Sequence, residues 1–241
     1  MPTSAARLSG QCLKVGGVTP FTVIDFPGKL AAVVFVQGCP WRCGYCHNPH
    51  LQPRPVDSPL AWNTILALLK RRVGLIDAVV FSGGESTIDP ALAAAIGDVR
   101  ALGFEIGLHT AGIYPQRLQA LLGMIDWIGM DIKAPFDSYA KVTGIAASGV
   151  PALASTQAII ASGIPHEFRT TIHPALLSEA DILALARTLA TMGVKNYALQ
   201  LFRAEGCSDL ALRAHGLGDY PSADLARQVT DLFPQFTLRR A

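Results

Sequence analysis

Charge is scarce in this chain. Of 241 residues, 20 are Lys or Arg and 18 are Asp or Glu, for a net charge of +2. So small an excess, with no basic run, gives no electrostatic footprint for nucleic acid. Long apolar runs are missing as well. Mean hydropathy is positive, yet the longest apolar stretches, such as LAAVVFV at 30–36, have strand length and fall short of a membrane span. The N-terminal MPTSAARLSGQCLKVGG has one arginine and no apolar core of a signal peptide, so the expected location is the cytoplasm. Thiols stay reduced there, which directs clustered cysteines toward metal or redox roles. No Gly-x-Gly-x-x-Gly or Walker pattern follows the first strand, and no low-complexity segment or polar linker divides the chain. A single domain over 1–241 is expected, with a core at about 28–203, an N-terminal extension 1–27 and a helical tail 204–241.

What is present is an alternation. Half the residues are apolar, ample for one core. Six short runs read as strands: 30–36, 77–82, 104–109, 127–132, 166–172 and 197–202. Their near-continuous apolar character suits strands covered on both faces. Between them lie helical patterns at 58–73, 89–102, 115–125, 151–162 and 179–192, with a last helix near 221–233. Ser58-Pro59 reads as a helix opening. Ser178 with Asp181 resembles a capping box. Gly103, Gly163 and Gly193 follow helix ends. Six βα units predict parallel strands with right-handed crossovers, in a partial open barrel or a doubly wound sheet, the latter weakened by the missing glycine fingerprint.

Both architectures place their chemistry at the carboxyl ends of the strands. All six ends carry polar groups: Cys39, Cys43 and Cys46; Ser82 to Glu85; His109 and Thr110; Asp131 and Lys133; Arg169, Thr171 and His173; Gln200 and Arg203. Any one of these could be an ordinary loop residue. Six in succession on one rim predict a cavity.

Three cysteines within eight positions, in QGCPWRCGYCHNPH, admit several chemistries. Structural zinc takes four ligands, for which His47 or His50 could serve, but the other cysteines, Cys12 and Cys207, are single and distant. The Cys43–His47 string matches a haem attachment motif, which requires export. A redox dithiol would leave Cys39 idle. The remaining reading is a [4Fe–4S] cluster on Cys39, Cys43 and Cys46 with one iron open to substrate or cofactor.

C-x3-C-x2-C after the first strand, with Gly83-Gly84-Glu85 ending the second, resembles the radical S-adenosylmethionine (SAM) superfamily. The stretches GGVTPFTVIDFPGKLAAVVFVQGCPWRCGYCHNPHLQ, HTAGIYPQRL, DWIGMDIKAP and EFRTTIHP narrow the likeness to the anaerobic ribonucleoside-triphosphate reductase activating proteins, among the glycyl-radical-enzyme activases. The likeness runs over about 15–203.

The resemblance implies a fold, an α/β open TIM-like partial (β/α)6 barrel of parallel strands. It also implies a reaction: a reduced [4Fe–4S] cluster cleaves SAM to methionine and a 5′-deoxyadenosyl radical, which makes a glycyl radical on a partner enzyme, here expected to be an anaerobic ribonucleotide reductase. A flavodoxin- or ferredoxin-type protein would donate the electron. Carried over position by position, Cys39, Cys43 and Cys46 match the cluster ligands and Tyr45 an aromatic near the adenine. Gly83 and Gly84 match a backbone approach to the SAM amino group, supported by Glu85. Asp131 and Lys133 match a pair near the ribose and carboxylate, His109 a neighbouring strand end, and Arg169 a carboxylate partner. Where many members have proline after the glutamate, this chain has Ser86, and His109 replaces the aspartate of a cation site, so no cation is expected. The simpler alternatives are a solvated Asp131–Lys133 pair, a hydrogen-bonded core His109, His173 and Gln200 satisfying loop backbone, Trp41 as a lid or docking residue, and an incidental Cys207. Two other functions remain: a radical SAM enzyme modifying a small molecule, as in deazapurine synthesis, and a non-catalytic metal-binding module.

Overall fold

The computed structural model describes residues 9–240; residues 1–8, the start of the stretch read as lacking a leader, and Ala241 lie outside the described residues. The elements run β1 (Val15–Thr22), β2 (Ala31–Val36), α1 (Trp62–Lys70), β3 (Ala78–Gly83), α2 (Leu92–Arg100), β4 (Glu105–Thr110), α3 (Pro115–Leu121) and β5 (Trp127–Asp131). They continue with α4 (Ala140–Thr143), α5 (Gly149–Ser162), β6 (His166–Ile172), α6 (Glu179–Thr191), β7 (Asn196–Leu201), α7 (Leu210–Ala214), α8 (Ala223–Thr230) and β8 (Gln235–Arg239). Eight strands form one sheet in sequence order. β1 pairs antiparallel with β2, and every later pair is parallel. Strands laid down in order with helices between them are the winding of a TIM-like barrel. Here β1 and β8 are the two sheet edges and do not pair, so the barrel is open.

The six expected strands are β2 to β7. Two corrections enlarge the sheet. The N-terminal extension supplies an edge strand, β1, and the tail expected to be helical ends in β8. The helix opening expected at Ser58 lies instead at Trp62, because the Ser58 hydroxyl is engaged with β1: it accepts from Val15 N at 2.8 Å and donates to the Leu60 carbonyl at 2.6 Å. The Ser178–Asp181 capping box is present. Among the described residues no helix is long and apolar enough to cross a membrane.

Strand alternation sorts the side chains. One set, including Val34, Phe81, Leu108, Met130, Phe168 and Leu199, packs into the main core with helix residues such as Ile65, Ile96 and Leu185. The opposite set lines the concave face. Toward the amino ends it is apolar: Ala31, Val33, Ala78, Val80 and Trp127, plugged by Phe26 from the loop after β1. Phe26 and Trp127 lie 5.6 Å apart, centroid to centroid. The same parity continued toward the carboxyl ends gives Ser82, His109, Asp131, Arg169, Thr171 and Gln200, all of which line one cavity. These members of the polar rim read from the sequence form the upper half of the concave face.

Candidate active site

The cysteine loop leaves β2 at Gln37 and is stapled at its base. Gly38 N donates to Leu51 O at 2.7 Å and Cys39 N to Gln52 O at 2.9 Å. Arg54 donates to Gln37 O at 3.0 Å and pairs with the buried Asp89 at 3.0 Å. The loop thus closes on itself and presents Cys39, Cys43 and Cys46 to a cavity of about 270 Å³. Burial pushes the Cys39 thiol up to about 12 and raises that of Cys43, against the pull of Lys133 in both cases. Bare thiolates are disfavoured here, a condition that bound metal relieves by supplying positive charge. Among the described residues no three His, Cys, Asp or Glu side chains are gathered around a single point as one ion would need.

The ends of β3 and β4 are built on Glu85. It is 1% exposed. Its Oε1 accepts from Thr87 N at 3.1 Å, Thr87 Oγ1 at 2.6 Å and Thr110 Oγ1 at 2.7 Å, and its Oε2 from Ala111 N at 2.8 Å. Glu85 does not line the cavity; it locks the two strand ends that do. Ser86, where proline was absent, closes the same turn through its hydroxyl, which donates to Ser82 O at 2.8 Å. Gly83 and Gly84 line the cavity, but the structure supplies a second reason for them. A Cβ on Gly83, at φ +126°, would stand 2.3 Å from Val36 O, and one on Gly84 2.5 Å from Gly38 O. The glycines are needed because β3 ends against the backbone root of the cysteine loop.

Asp131 joins two cations. Its carboxylate meets Lys133 Nζ at 3.1 Å and Arg169 Nε at 3.1 Å. Burial alone would raise its pKa; Lys133 and Arg169 overrule burial and hold it well below the usual carboxylate range. Burial likewise opposes the charge on Lys133, and Asp131 keeps it well above the ordinary lysine value. Lys133 Nζ also lies 5.3 Å from the centre of the Tyr45 ring, and its backbone N donates to Tyr139 Oη at 2.9 Å. Tyr45 is 4% exposed and lines the cavity. Burial raises its phenol, and its Oη has no hydrogen-bond partner. Such an orphaned hydroxyl is expected where a ligand completes the site. Trp41 is buried on the same wall, edge-on to Tyr139 at 5.6 Å.

His109 is the hydrogen-bonded core histidine of the simpler alternative, and it also lines the cavity. Its Nε2–H donates to the Asp25 carbonyl at 2.9 Å, and Asp25 lines the cavity beside it. Burial first, then Arg169, lowers its pKa to about 3. The value of a free imidazole is about 6.5, so protonation favours the unfolded chain. The stabilisation is complete above pH 6.5 and is lost as pH falls toward 3, amounting to about 2 kcal/mol at pH 5. The stability difference between wild type and His109→Gln should therefore shrink by about 2 kcal/mol between pH 7 and pH 5 in urea titrations. A difference independent of pH would mean that the ring protonates freely in the fold.

The remaining expected residues divide. Arg203, Thr171 and Gln200 line the cavity. His173 is fully buried and does not line it; its Nδ1 accepts from Ala175 N at 3.1 Å. His47 lines the cavity with Nε2 donating to Arg203 O at 3.0 Å. Cys12 is exposed in a 3-10 turn, and Cys207 is buried against the cysteine loop. Asp25 and Tyr139 escaped the sequence reading. Asp25 precedes a Phe-Pro-Gly turn whose fold back into the barrel is a tertiary fact, and Tyr139 reaches the site from the α4 entry.

The radical SAM superfamily model matches residues 33–197, from within β2 to the start of β7. The chain belongs to the radical SAM superfamily. A protein of Methanocaldococcus jannaschii, provisionally named a glycyl-radical enzyme activating enzyme, is 30% identical over 81% of this chain and 82% of its own length. The pyruvate formate-lyase-activating enzyme of Clostridium pasteurianum is 32% identical over 54% of this chain and 57% of its own. By these relatives the chain is a radical SAM enzyme of the glycyl-radical enzyme activating group. Streptococcus suis SuiB bound to S-adenosylmethionine shares the fold, with a TM-score of 0.64 at 13% identity over 85% of this chain; the chain spans about half of SuiB's length, 48%.

The cofactors of a radical SAM enzyme are SAM and a [4Fe–4S] cluster. The residues present fit both. Three half-buried thiols form a soft donor set one ligand short of four, and the same cavity holds two glycines, an ion-paired lysine and an unsatisfied tyrosine hydroxyl.

Proposed function

We propose that this chain activates a glycyl-radical enzyme, and that the partner is an anaerobic ribonucleoside-triphosphate reductase. The observation that carries the activase reading is the 30% identity to the Methanocaldococcus jannaschii protein across four-fifths of both chains. The narrower partner rests on the sequence stretches around the cysteines and strand ends. Cluster and SAM, when bound, supply a one-electron reductive cleavage and, from it, hydrogen-atom abstraction.

The chain's own residues do the rest. Cys39, Cys43 and Cys46 hold the cluster. Gly83 and Gly84 would offer backbone to the SAM amino group and Tyr45 would flank the adenine, while Lys133, its position fixed by Asp131, keeps N–H donors for the cofactor. Arg169 has its Nε on Asp131 and its Nη2 on the Gly129 carbonyl at 3.5 Å, which leaves Nη1 for a carboxylate. His109 stays neutral and holds the Asp25 loop against the cavity. The plug of Phe26 and Trp127 closes the lower end to water. An electron donor of flavodoxin or ferredoxin type and an anaerobic, reducing cytoplasm complete the setting.

Anaerobically reconstituted protein, mixed with SAM, reductant and a purified anaerobic ribonucleotide reductase, should give a glycine-centred EPR signal and 5′-deoxyadenosine together. Cys43→Ala should lose both, along with the visible cluster absorption. A signal on pyruvate formate-lyase but none on the reductase would overturn the partner. 5′-Deoxyadenosine formed with no glycine signal on either would overturn the activase reading.

A further inference from the structure

The segment after β7, residues 203–212, lies beyond the 33–197 family match and wraps the outer side of the cysteine loop. Four contacts join them. The Arg203 carbonyl accepts from His47 Nε2 at 3.0 Å. Gly206, at φ +80°, sits so close that a Cβ there would stand 2.3 Å from His47 O. The Cys207 thiol, 4% exposed, donates to the Gly44 carbonyl at 3.4 Å. Leu212 Cδ1 lies 3.4 Å from where a Cβ on Gly44 would be. Asp209 caps α7 through Ala211 N at 2.9 Å and Leu212 N at 3.0 Å, and so fixes the turn that carries Leu212.

Gly44 and His47 bracket Cys46, and Gly44 directly follows Cys43. The contacts therefore act on the two ligand positions nearest the segment. They do not seal it: a second cavity of about 290 Å³ remains on this side, lined by Cys43, Cys46, Ser208 and Asp209 among others. Cys43 and Cys46 thus border cavities on both sides of the loop. The loop is anchored elsewhere by the buried Trp41 and Tyr45 and by Arg42 N on Thr143 O at 2.9 Å. On the side of this second cavity the hold falls to residues 203–212, and ligand geometry left to chance relaxes by more than binding tolerates.

We propose that residues 203–212 are a brace that keeps Cys43 and Cys46 in ligating position, with Cys207 as a positioning residue acting through its bond to Gly44. The inference rests on the cluster reading. Cys207 also packs in the main core, so apolar volume and thiol donor have to be separated by experiment.

The full chain is reconstituted anaerobically, and release of cluster iron to a ferrous chelator is timed. Cys207→Ser keeps a donor; Cys207→Val keeps apolar volume without one. Cys207→Val and Cys207→Ala should release iron about two- to fivefold faster than wild type, the factor corresponding to a hydrogen bond of roughly 0.5–1 kcal/mol. Cys207→Ser should stay within about twofold of wild type. Gly206→Val, which drives the segment off His47, should exceed tenfold, on the order of the cost of a backbone clash; if it fails to fold, the Cys207 series decides alone. Cys207→Val as slow as wild type, or Cys207→Ser as fast as Cys207→Ala, overturns the brace. Failure of the cluster reading shows separately, as wild-type protein that takes up no cluster, and removes the brace with it.

Discussion

Asp131→Asn should destabilise the chain by about 3 kcal/mol in urea unfolding and weaken SAM binding at least about tenfold. The substitution keeps the shape and removes the charge that Lys133 and Arg169 share at 3.1 Å each. Those two side chains are only 10% and 11% exposed, so two cations would be left facing one another in a poorly solvated cavity. Removing one member of a buried ion pair costs about 3–5 kcal/mol. The lower end applies because the Asp131 side chain itself keeps 35% of its surface. Lys133 also loses the carboxylate that holds its pKa high, so the variant should regain stability as pH rises above the lowered lysine value toward that of a free lysine, about 10.4. A loss below about 1 kcal/mol, insensitive to pH, would restore the solvated-pair alternative.

The second large effect belongs to Glu85. Glu85→Ala strips the acceptors from four buried donors, on Thr87, Thr110 and Ala111. At about 1–3 kcal/mol for each unsatisfied group, the loss reaches the whole stability of an ordinary domain, about 5–15 kcal/mol. The variant should fail to accumulate as folded protein. Glu85→Gln is the finer measurement. With its amide oxygen in the Oε1 position it still serves both threonines, while its NH2 meets the Ala111 N–H, donor against donor. A cost of about 2–3 kcal/mol is expected, seen as a lower urea midpoint with an unchanged slope. A Gln variant as stable as wild type would mean that the carboxylate is not used as an acceptor on both oxygens.

The chemistry was legible because it sits where sequence order and space coincide. Each apolar run ends in its polar residue, and Ser82, His109, Asp131, Arg169 and Gln200 share strand parity, so one face collects them without any long-range knowledge. The sheet edges were not legible. β1 reads VGGVTPFT, with two glycines and a proline that argue against a strand; the register slips at Val15/Gly17 and again between Thr19 and Thr22, and only an edge strand tolerates such a sequence. β8 is five residues, QFTLR, too short and too polar to stand out. It is secured by a tertiary contact, Arg239 on Glu167 through two bonds of 2.8 Å. The role of Gly83 and Gly84 was half legible: a close backbone approach was expected, and the partner the structure shows is the protein's own backbone, at Val36 and Gly38. Glu85, read as a support of the glycine loop, gives that support from behind the cavity wall, and its hydrogen bonds to Thr87, Thr110 and Ala111 show how.

The sequential strand order has a consequence for how the protein comes to exist. Each strand pairs with one made just before it, so the sheet can grow as the chain is synthesised, without waiting for a distant partner. The cavity cannot. Its wall runs from Asp25 and Cys39 to Gln200 and Arg203, so the cysteines, made early, stay exposed until nearly the whole chain has followed. The sheet is assembled gradually, whereas the reactive pocket is completed in one late step.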